Sequence, residues 1–378
     1  MNGLFLPMIA VVKWQYNELA QRFPQGTADV QELPRLLITL GDVAGIGPEV
    51  LLKLWVQPEM FAQSQPIVVG NATWLRKIAK KLGLDLLIQE LDELPDTWPT
   101  GHPGLLPCLQ GSNEDLNDVV PGKAQRSAGR AAYDFLKTAI ALAKGDKADA
   151  IVTLPLHKEG LHLAGLDYPG HTEILAKECG IEKYAMMLYA PLKQKDDSQR
   201  GGVGVAHVTL HQSLRSIFDD ITVQAIVDKI ELTHDIMSQL LGNLPRIGVC
   251  ALNPHAGDGG LFGDEEARII APAVEQCRKR INVSGPWPCD TLFRRAQAGE
   301  FDGIVAMYHD QGHIALKLMS GFHLVNITLG LPIIRTSVAH GTAYDIVNNH
   351  TADPFSLLAA VEVACKLVID RRRKALRR

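Results

Sequence analysis

Short apolar runs, each closed by glycine, proline or polar residues, alternate along this chain with longer stretches whose apolar residues recur at helical spacing. That alternation predicts strands feeding helices, and hence an α/β fold opening on a parallel βα unit. Residues 36–40 (LLITL) read as a buried strand that runs into the turn G-D-V-A-G-I-G-P-E at 41–49 and then a helix over 50–56. Pro48 suits the first helical turn, where a missing N–H costs nothing. Further strands are expected at 66–69, 148–154, 185–189, 203–208, 246–252 and 303–307, with an extended piece at 84–91. Helices are expected at 71–82, 127–144, 174–179 and 220–241. The Pro- and Gly-rich stretch 94–111 reads as connection, and 193–202 as an exposed polar loop.

Composition narrows the class. The chain has 378 residues, 46% hydrophobic and 21% charged, enough for two domains or one large α/β unit with a second lobe. Residues 1–34 look like an appended, poorly ordered extension, with one short helix around 14–22. No basic segment precedes its apolar residues, so a signal peptide is not expected, and no run reaches the ~20 apolar residues of a membrane span. Net charge is −4, and the one basic run is the C-terminal RRRKALRR, which suits a helix terminus better than nucleic acid. The six cysteines are scattered without a C-x-x-C, as in a cytoplasmic protein with reduced thiols.

The chemistry concentrates between 305 and 343. An apolar run ends at Tyr308-His309-Asp310-Gln311-Gly312, where a buried strand would stop and α/β enzymes keep their reactive groups. Lys317, Asn326 and Arg335 follow at intervals of nine, a combination suited to a doubly charged anion such as a phosphate monoester. Taken singly, each charge is more often a solvated surface group. His309 and His313 stand four apart and would share a helix face, a spacing met more often in hydrogen-bonded histidines than in ligand pairs. His171 and Thr172 fall at a helix start, where they would face a ligand or where Thr172 would simply cap the helix. The glycine turn at 41–49 lacks the G-x-G-x-x-G spacing, and tight packing explains it better than phosphate binding. Three strands run into a histidine: His211, His255 and His309. Parallel strand ends cluster at one edge, so three imidazoles there would suit one divalent cation with open positions.

Several strings carry a family resemblance: Gly41-Asp42-Val43-Ala44-Gly45-Ile46-Gly47-Pro48-Glu49, Gly170-His171-Thr172-Glu173, Asn253-Pro254-His255-Ala256-Gly257, Tyr308-His309-Asp310-Gln311-Gly312, and Asn326 to Pro332 with Arg335-Thr336-Ser337. In order, over 35 to about 370, the chain resembles the 4-hydroxythreonine-4-phosphate dehydrogenase family of vitamin B6 (pyridoxal phosphate) synthesis. The resemblance implies an α/β, two-domain fold like that of isocitrate and isopropylmalate dehydrogenases, with the active site in the cleft between domains. Residues 35–154 with 328–378 would bind the nucleotide, and 155–327 would carry substrate, metal and dimer contacts.

The same resemblance implies a homodimer that oxidises the C3 hydroxyl of 4-phosphooxy-L-threonine with NAD or NADP. The 3-oxo acid then loses CO2 to give 3-amino-2-oxopropyl phosphate. Its metal ligands fall on His211, His255 and His309, the last from the partner chain, and the ion would be Zn, Mg or Co. Substrate contacts fall on His171, Thr172, Lys317, Asn326 and Arg335. His340, Gly341, Thr342, Ala343 and Asp345 match the nucleotide loop of the isopropylmalate relatives. Alcohol oxidation also needs a general base, and Asp310, Asp290 and Lys158 are the candidates. Departures from the family pattern are Val43 in place of proline, the long 193–202 loop, and Val347 to His350 in place of a glycine-rich continuation. Rival readings are a dehydrogenase of 4-phospho-threonate, 4-phospho-erythronate or a ring dihydrodiol, a metal-dependent lyase or hydrolase, and a non-catalytic binding protein.

Overall fold

A computed structural model describes residues 32–191, 201–320 and 324–377. The helix expected at 14–22 lies outside the described residues, as does most of the 193–202 loop. The glycine turn behaves as its sequence predicts. β1 (Arg35–Thr39) delivers the chain to Gly41, whose φ of +66° is open to glycine, and a Cβ there would collide with the Pro155 carbonyl. Helix Gly47–Trp55 then starts with Pro48 in its first turn and buries all but one of its residues. Each fully buried Leu or Val contributes about 1.5–3 kcal/mol, which fixes this helix against the sheet.

The later elements follow the same logic. Asn71 caps helix Ala72–Lys81 by accepting from the Trp74 N–H at 2.8 Å. Thr222 caps helix Val223–Leu241 through the Ala225 N–H. The alanine-rich helix Arg126–Lys144 buries Ala128, Ala132, Phe135, Leu136, Ala139 and Ala143 and stops at Gly145. The basic C-terminus belongs to helix Phe355–Leu376 and is tied down: Arg372 pairs with Asp149 at 2.8 Å, and Arg371 donates to the Pro332 carbonyl.

Twelve strands form one sheet among the described residues. With β2 (Gln65–Gly70), β3 (Leu87–Leu91), β4 (Leu105–Gln110), β5 (Ala150–Thr153), β6 (Ala185–Ala190), β7 (Val203–His207), β8 (Ile247–Cys250), β9 (Val283–Trp287), β10 (Gly303–Ala306), β11 (Val325–Leu329) and β12 (Ile334–Val338), the order is β3-β4-β2-β1-β5-β12-β11-β6-β7-β10-β8-β9. The first six in that order are mutually parallel, and so are the last four. β11 and β6 join the two sets through three antiparallel pairings. The sheet is therefore mixed, and the two parallel sets point in opposite directions.

Several elements depart from the sequence expectation, β11 and β12 among them. The stretch 94–111 is not all connection, since it holds β4, whose apolar Leu105 to Leu109 inserts between β2 and β3. β9 contains Pro286 and ends the sheet, where a missing donor is tolerated. Helix Cys289–Gln297 follows it. The largest hydrophobic cluster lies around β1 to β5 and helices Arg126–Lys144 and Phe355–Leu376, while two smaller ones lie on either side of β8 and β10. Residues Pro34–Arg378 make one compact unit, in which no described helix is long and apolar enough to cross a membrane.

Candidate active site

Two clusters of polar side chains stand out against this apolar frame. The first surrounds Arg335. In register it stands opposite Ile151 of β5, and its side chain, only 1% exposed, reaches Thr328 of β11 on one side and Thr153 of β5 on the other. Nη1 donates to Thr328 Oγ1 at 3.0 Å and reaches Asn326 Oδ1 at 3.5 Å, while Nη2 donates to Thr153 Oγ1 at 2.6 Å. Nε has no partner. Burial pulls the guanidinium down to about 9 against the opposing pull of Glu173, so the charge persists at neutral pH. A buried cation held by hydroxyls, without a paired carboxylate, retains its attraction for an anion.

His171 opens helix His171–Cys179 beside this guanidinium. Burial and then the Arg335 charge hold its imidazole well below its ordinary value, so the ring is neutral at pH 7. Thr172 is buried but does not cap: Gly170 occupies the cap position and no side-chain bond forms there. Glu173 is the residue that sequence reasoning passed over as a first-turn acid. Its charge acts on Arg335, His211 and Tyr184, and its Oε2 is buried without a partner among the described residues.

The second cluster is imidazole. β7, β10 and β8 are parallel neighbours, so the segments carrying His211, His309 and His255 leave the sheet at one edge. The His211 and His309 rings lie 5.9 Å apart, and His309 opens helix His309–Ser320 with Nδ1 at 2.7 Å from Asp310 Oδ1. Four residues on, His313 stacks on His309 at 3.7 Å, so the pair does share a helix face. Beneath them is a histidine that the strand-end count missed. His207 is the last residue of β7, 1% exposed, with Nε2 at 3.2 Å from His313 Nδ1. Burial, then the neighbouring imidazoles, holds His207 well below its ordinary value, and His313 falls to about 4 mainly through burial. Gly312 permits this packing, because a Cβ there would strike His207 Nε2.

His255 is placed by strain. His255, Ala256 and Asp258 all have positive φ (53°, 56° and 44°), costing about 1–3 kcal/mol each for non-glycine residues. Glu266 holds the entry to this left-handed turn, accepting from the Leu252 and Asn253 N–H groups at 2.8 and 2.7 Å. Although burial pushes the other way, Asn253 and the backbone keep that carboxyl below its usual range. His255 itself is exposed.

The donor chemistry fits a divalent ion. Burial and then the Lys158 charge lower His211, leaving a neutral imidazole, and Asp310 orients His309 through Nδ1 so that Nε2 is left to bind. Within one chain, no three His, Cys, Asp or Glu side chains converge closely enough to hold an ion among the described residues. Of the candidate bases, Asp310 is bonded to His309, and Lys158 is exposed but acts on His211. Asp290 is exposed in the first turn of helix Cys289–Gln297, its charge felt at Cys289. Lys317 is exposed on helix His309–Ser320, and its charge acts on His313.

The loop from His340 to Asp345 packs on the glycine turn. Ile46 N–H donates to the Thr342 carbonyl at 3.0 Å, and Gly45 lies directly against Thr342. His340 bonds Ser356 Oγ at 3.0 Å, Ala343 has a φ of 45°, and Gly341 and Asp345 are exposed. Val43, Asn348 and His350 line one small recess beside this loop, so two of the departures from the family pattern meet in space.

Fold and site define a mixed α/β protein with a buried guanidinium and a group of neutral imidazoles along its sheet. The chain belongs to the pyridoxal phosphate biosynthetic protein PdxA family, whose model matches residues 62–364. It is 42% identical over 336 residues to the 4-hydroxythreonine-4-phosphate dehydrogenase of Desulfosudis oleivorans, covering 88% of this chain and 95% of that protein. It is 41% identical over 333 residues to the D-threonate 4-phosphate dehydrogenase of Pectobacterium atrosepticum, covering 88% and 98%. The crystal structure of 4-hydroxythreonine-4-phosphate dehydrogenase from Klebsiella pneumoniae superposes with a TM-score of 0.77 at 39% identity, covering 89% of this chain and 99% of that one.

Proposed function

We propose that the chain is a metal-dependent, NAD(P)-linked dehydrogenase of a phosphorylated hydroxy acid, with 4-phosphooxy-L-threonine as its substrate and vitamin B6 synthesis as its pathway. The observation that carries the reading is Arg335, a buried guanidinium bonded to hydroxyls and an amide, with neutral His171 beside it. Such a group suits a phosphate, which brings its own charge and leaves none uncompensated. In this reading Arg335, Asn326, Thr172, His171 and Lys317 hold and orient the phosphorylated end. His211 and His255 with the partner's His309 would hold a divalent ion, which lowers the pKa of a bound alcohol and stabilises the charge that develops on oxygen. Asp310, Lys158 or Asp290 takes the hydroxyl proton.

The His340 to Asp345 loop is assigned to the nicotinamide nucleotide, and its contact with the glycine turn supports a nucleotide half of 35–154 and 328–378 facing a substrate half of 155–327 across a cleft. The opposed directions of the two parallel strand sets support that division. A second reading, D-threonate 4-phosphate as substrate, is supported by the relatives that carry that name. The test is absorbance of reduced nicotinamide with each compound, with NAD and NADP, and with and without added divalent metal. Turnover of 4-phosphooxy-L-threonine well above D-threonate 4-phosphate is expected. The reverse order would establish the second reading, and no reduction with either would overturn both.

A further inference from the structure

Two histidines of the imidazole cluster, His207 and His313, have no role in the proposed reaction. His313 Nδ1 lies 3.2 Å from the His309 carbonyl and 3.2 Å from His207 Nε2. A carbonyl only accepts, so Nδ1 of His313 carries its proton and shares it between the two. His207 Nε2 is then an acceptor, with its own proton on Nδ1. The His313 ring also covers one face of His309, 3.7 Å away and within 12° of parallel. We propose that His207 and His313 are positioning residues for His309: His313 clamps the ring and carbonyl of His309, and His207 fixes His313. The role rests on the reading of His309 as a metal ligand, whichever chain completes the set.

Asp310 alone would hold His309 loosely. It bonds His309 Nδ1 at 2.7 Å, but its side chain is 68% exposed and water competes for the same oxygens. The stacked His313 ring restrains the imidazole without relying on that contact, and Nε2 is the nitrogen left to bind. His313 needs a support of its own, and His207 is a rigid one, 1% exposed at the end of β7. Leucine at 207 would occupy much the same core space but offer no acceptor.

The same contacts register the ligands against one another. His207 ends the strand whose continuation carries His211 four residues on. Gln311 pins the helix start from another side: it accepts from the Met307 N–H at 2.7 Å and donates to the Ala251 carbonyl at 2.7 Å, at the ends of β10 and β8. The first turn of helix His309–Ser320 is thus tied to three strand ends, those from which the segments carrying His211, His309 and His255 leave the sheet.

The test titrates the full chain, stripped of metal, with Co2+, whose visible absorption reports the geometry of its ligands. His313→Leu and His207→Leu should each raise the Kd for Co2+ about ten- to a hundredfold, the range for partners that orient a ligating histidine. The absorption bands should shift with it. His207→Gln, which returns a carbonyl acceptor near the place of Nε2, should recover most of the affinity. His313 is half-buried, so its variant keeps the test intact if His207→Leu does not fold. Before metal is added, long-range 1H–15N spectra of the imidazoles should show His207 and His313 as Nδ1–H tautomers. Parental affinity and bands in both leucine variants would overturn the positioning role, as would an Nε2–H tautomer at His207. A loss in His313→Leu as complete as in His309→Ala would make His313 a ligand and overturn it too. Parental Co2+ affinity in His309→Ala would instead remove the ligand reading on which the role rests.

Discussion

The Tyr344 hydroxyl donates to the Asp42 carboxylate at 2.7 Å, joining residues 302 apart in the chain. Asp42 is fully buried, accepts a second bond from the Ala44 N–H at 2.8 Å, and lies in the glycine turn after β1. Tyr344 lies in the loop after β12, its ring stacked at 4.5 Å on His157, the residue before Lys158. One contact thus holds together the glycine turn, the candidate nucleotide loop and the segment carrying a candidate base.

Removing that hydroxyl leaves a buried carboxylate short of a donor. Tyr344→Phe should cost about 1–3 kcal/mol of stability at neutral pH. Burial raises the Asp42 pKa, and the Tyr344 bond lowers it. A carboxyl whose folded pKa is raised weakens the fold as pH climbs through that value and does no harm once protonated. Without Tyr344 the pKa rises further. The deficit in Tm between variant and parent should therefore shrink as pH falls toward the Asp42 pKa, and a deficit constant with pH would dissociate the bond from the carboxylate charge.

Lys317 and Arg335 allow binding to be separated from folding. A charge-assisted contact to phosphate contributes about 1.5–3 kcal/mol, or roughly ten- to hundredfold in affinity. Lys317→Ala, at an exposed position, should raise KM for the phosphorylated substrate by about that factor and leave Tm and the KM for nicotinamide nearly unchanged. Arg335→Ala should do the same to substrate binding but also lower Tm, because it leaves Thr153 and Thr328 buried without their donor. Equal losses for substrate and nicotinamide would assign both residues to the fold alone.

Much of the framework was legible because its signals are local. Pro48 and the apolar runs at β1, β5 and β10 each specify their own element. Pairing is not local: nothing near β11 or β6 announces that they pair antiparallel and reverse the sheet. The strand-end histidines were visible, but His207 and His313 acquire meaning only when Gly312 lets one helix settle on one strand end. Glu173 was equally hidden, since a first-turn acid looks the same whether it faces solvent or a buried guanidinium.

His171 should leave its mark on acid stability. Its imidazole is held well below 6.5 by burial and by Arg335, so the unfolded chain binds a proton there more readily than the folded one. Such a group contributes stability above its unfolded pKa and loses it as pH falls from about 6.5 toward the folded value. Across that window His171→Gln, which cannot take a proton, should show a shallower fall in Tm than the parent. Parallel curves would mean that His171 is not desolvated as it stands here.

The last prediction concerns which chain supplies His309. Within one chain His211 and His309 face each other at 5.9 Å, yet no third ligand completes a set among the described residues. In the proposed enzyme the ion is held by His211 and His255 of one chain and the partner's His309, across a two-fold interface. His211→Ala and His309→Ala should each bind no metal and be inactive alone. In a mixed dimer one site collects both lesions and the other collects neither. If subunits assort at random, half the dimers are mixed and each keeps one intact site, so about a quarter of parental activity should return on co-expression. Metal content should recover with it, measured on mixed dimers isolated through two different tags. Mixed dimers without recovery of metal would place His211 and His309 in the same site of one chain, where their rings already face each other.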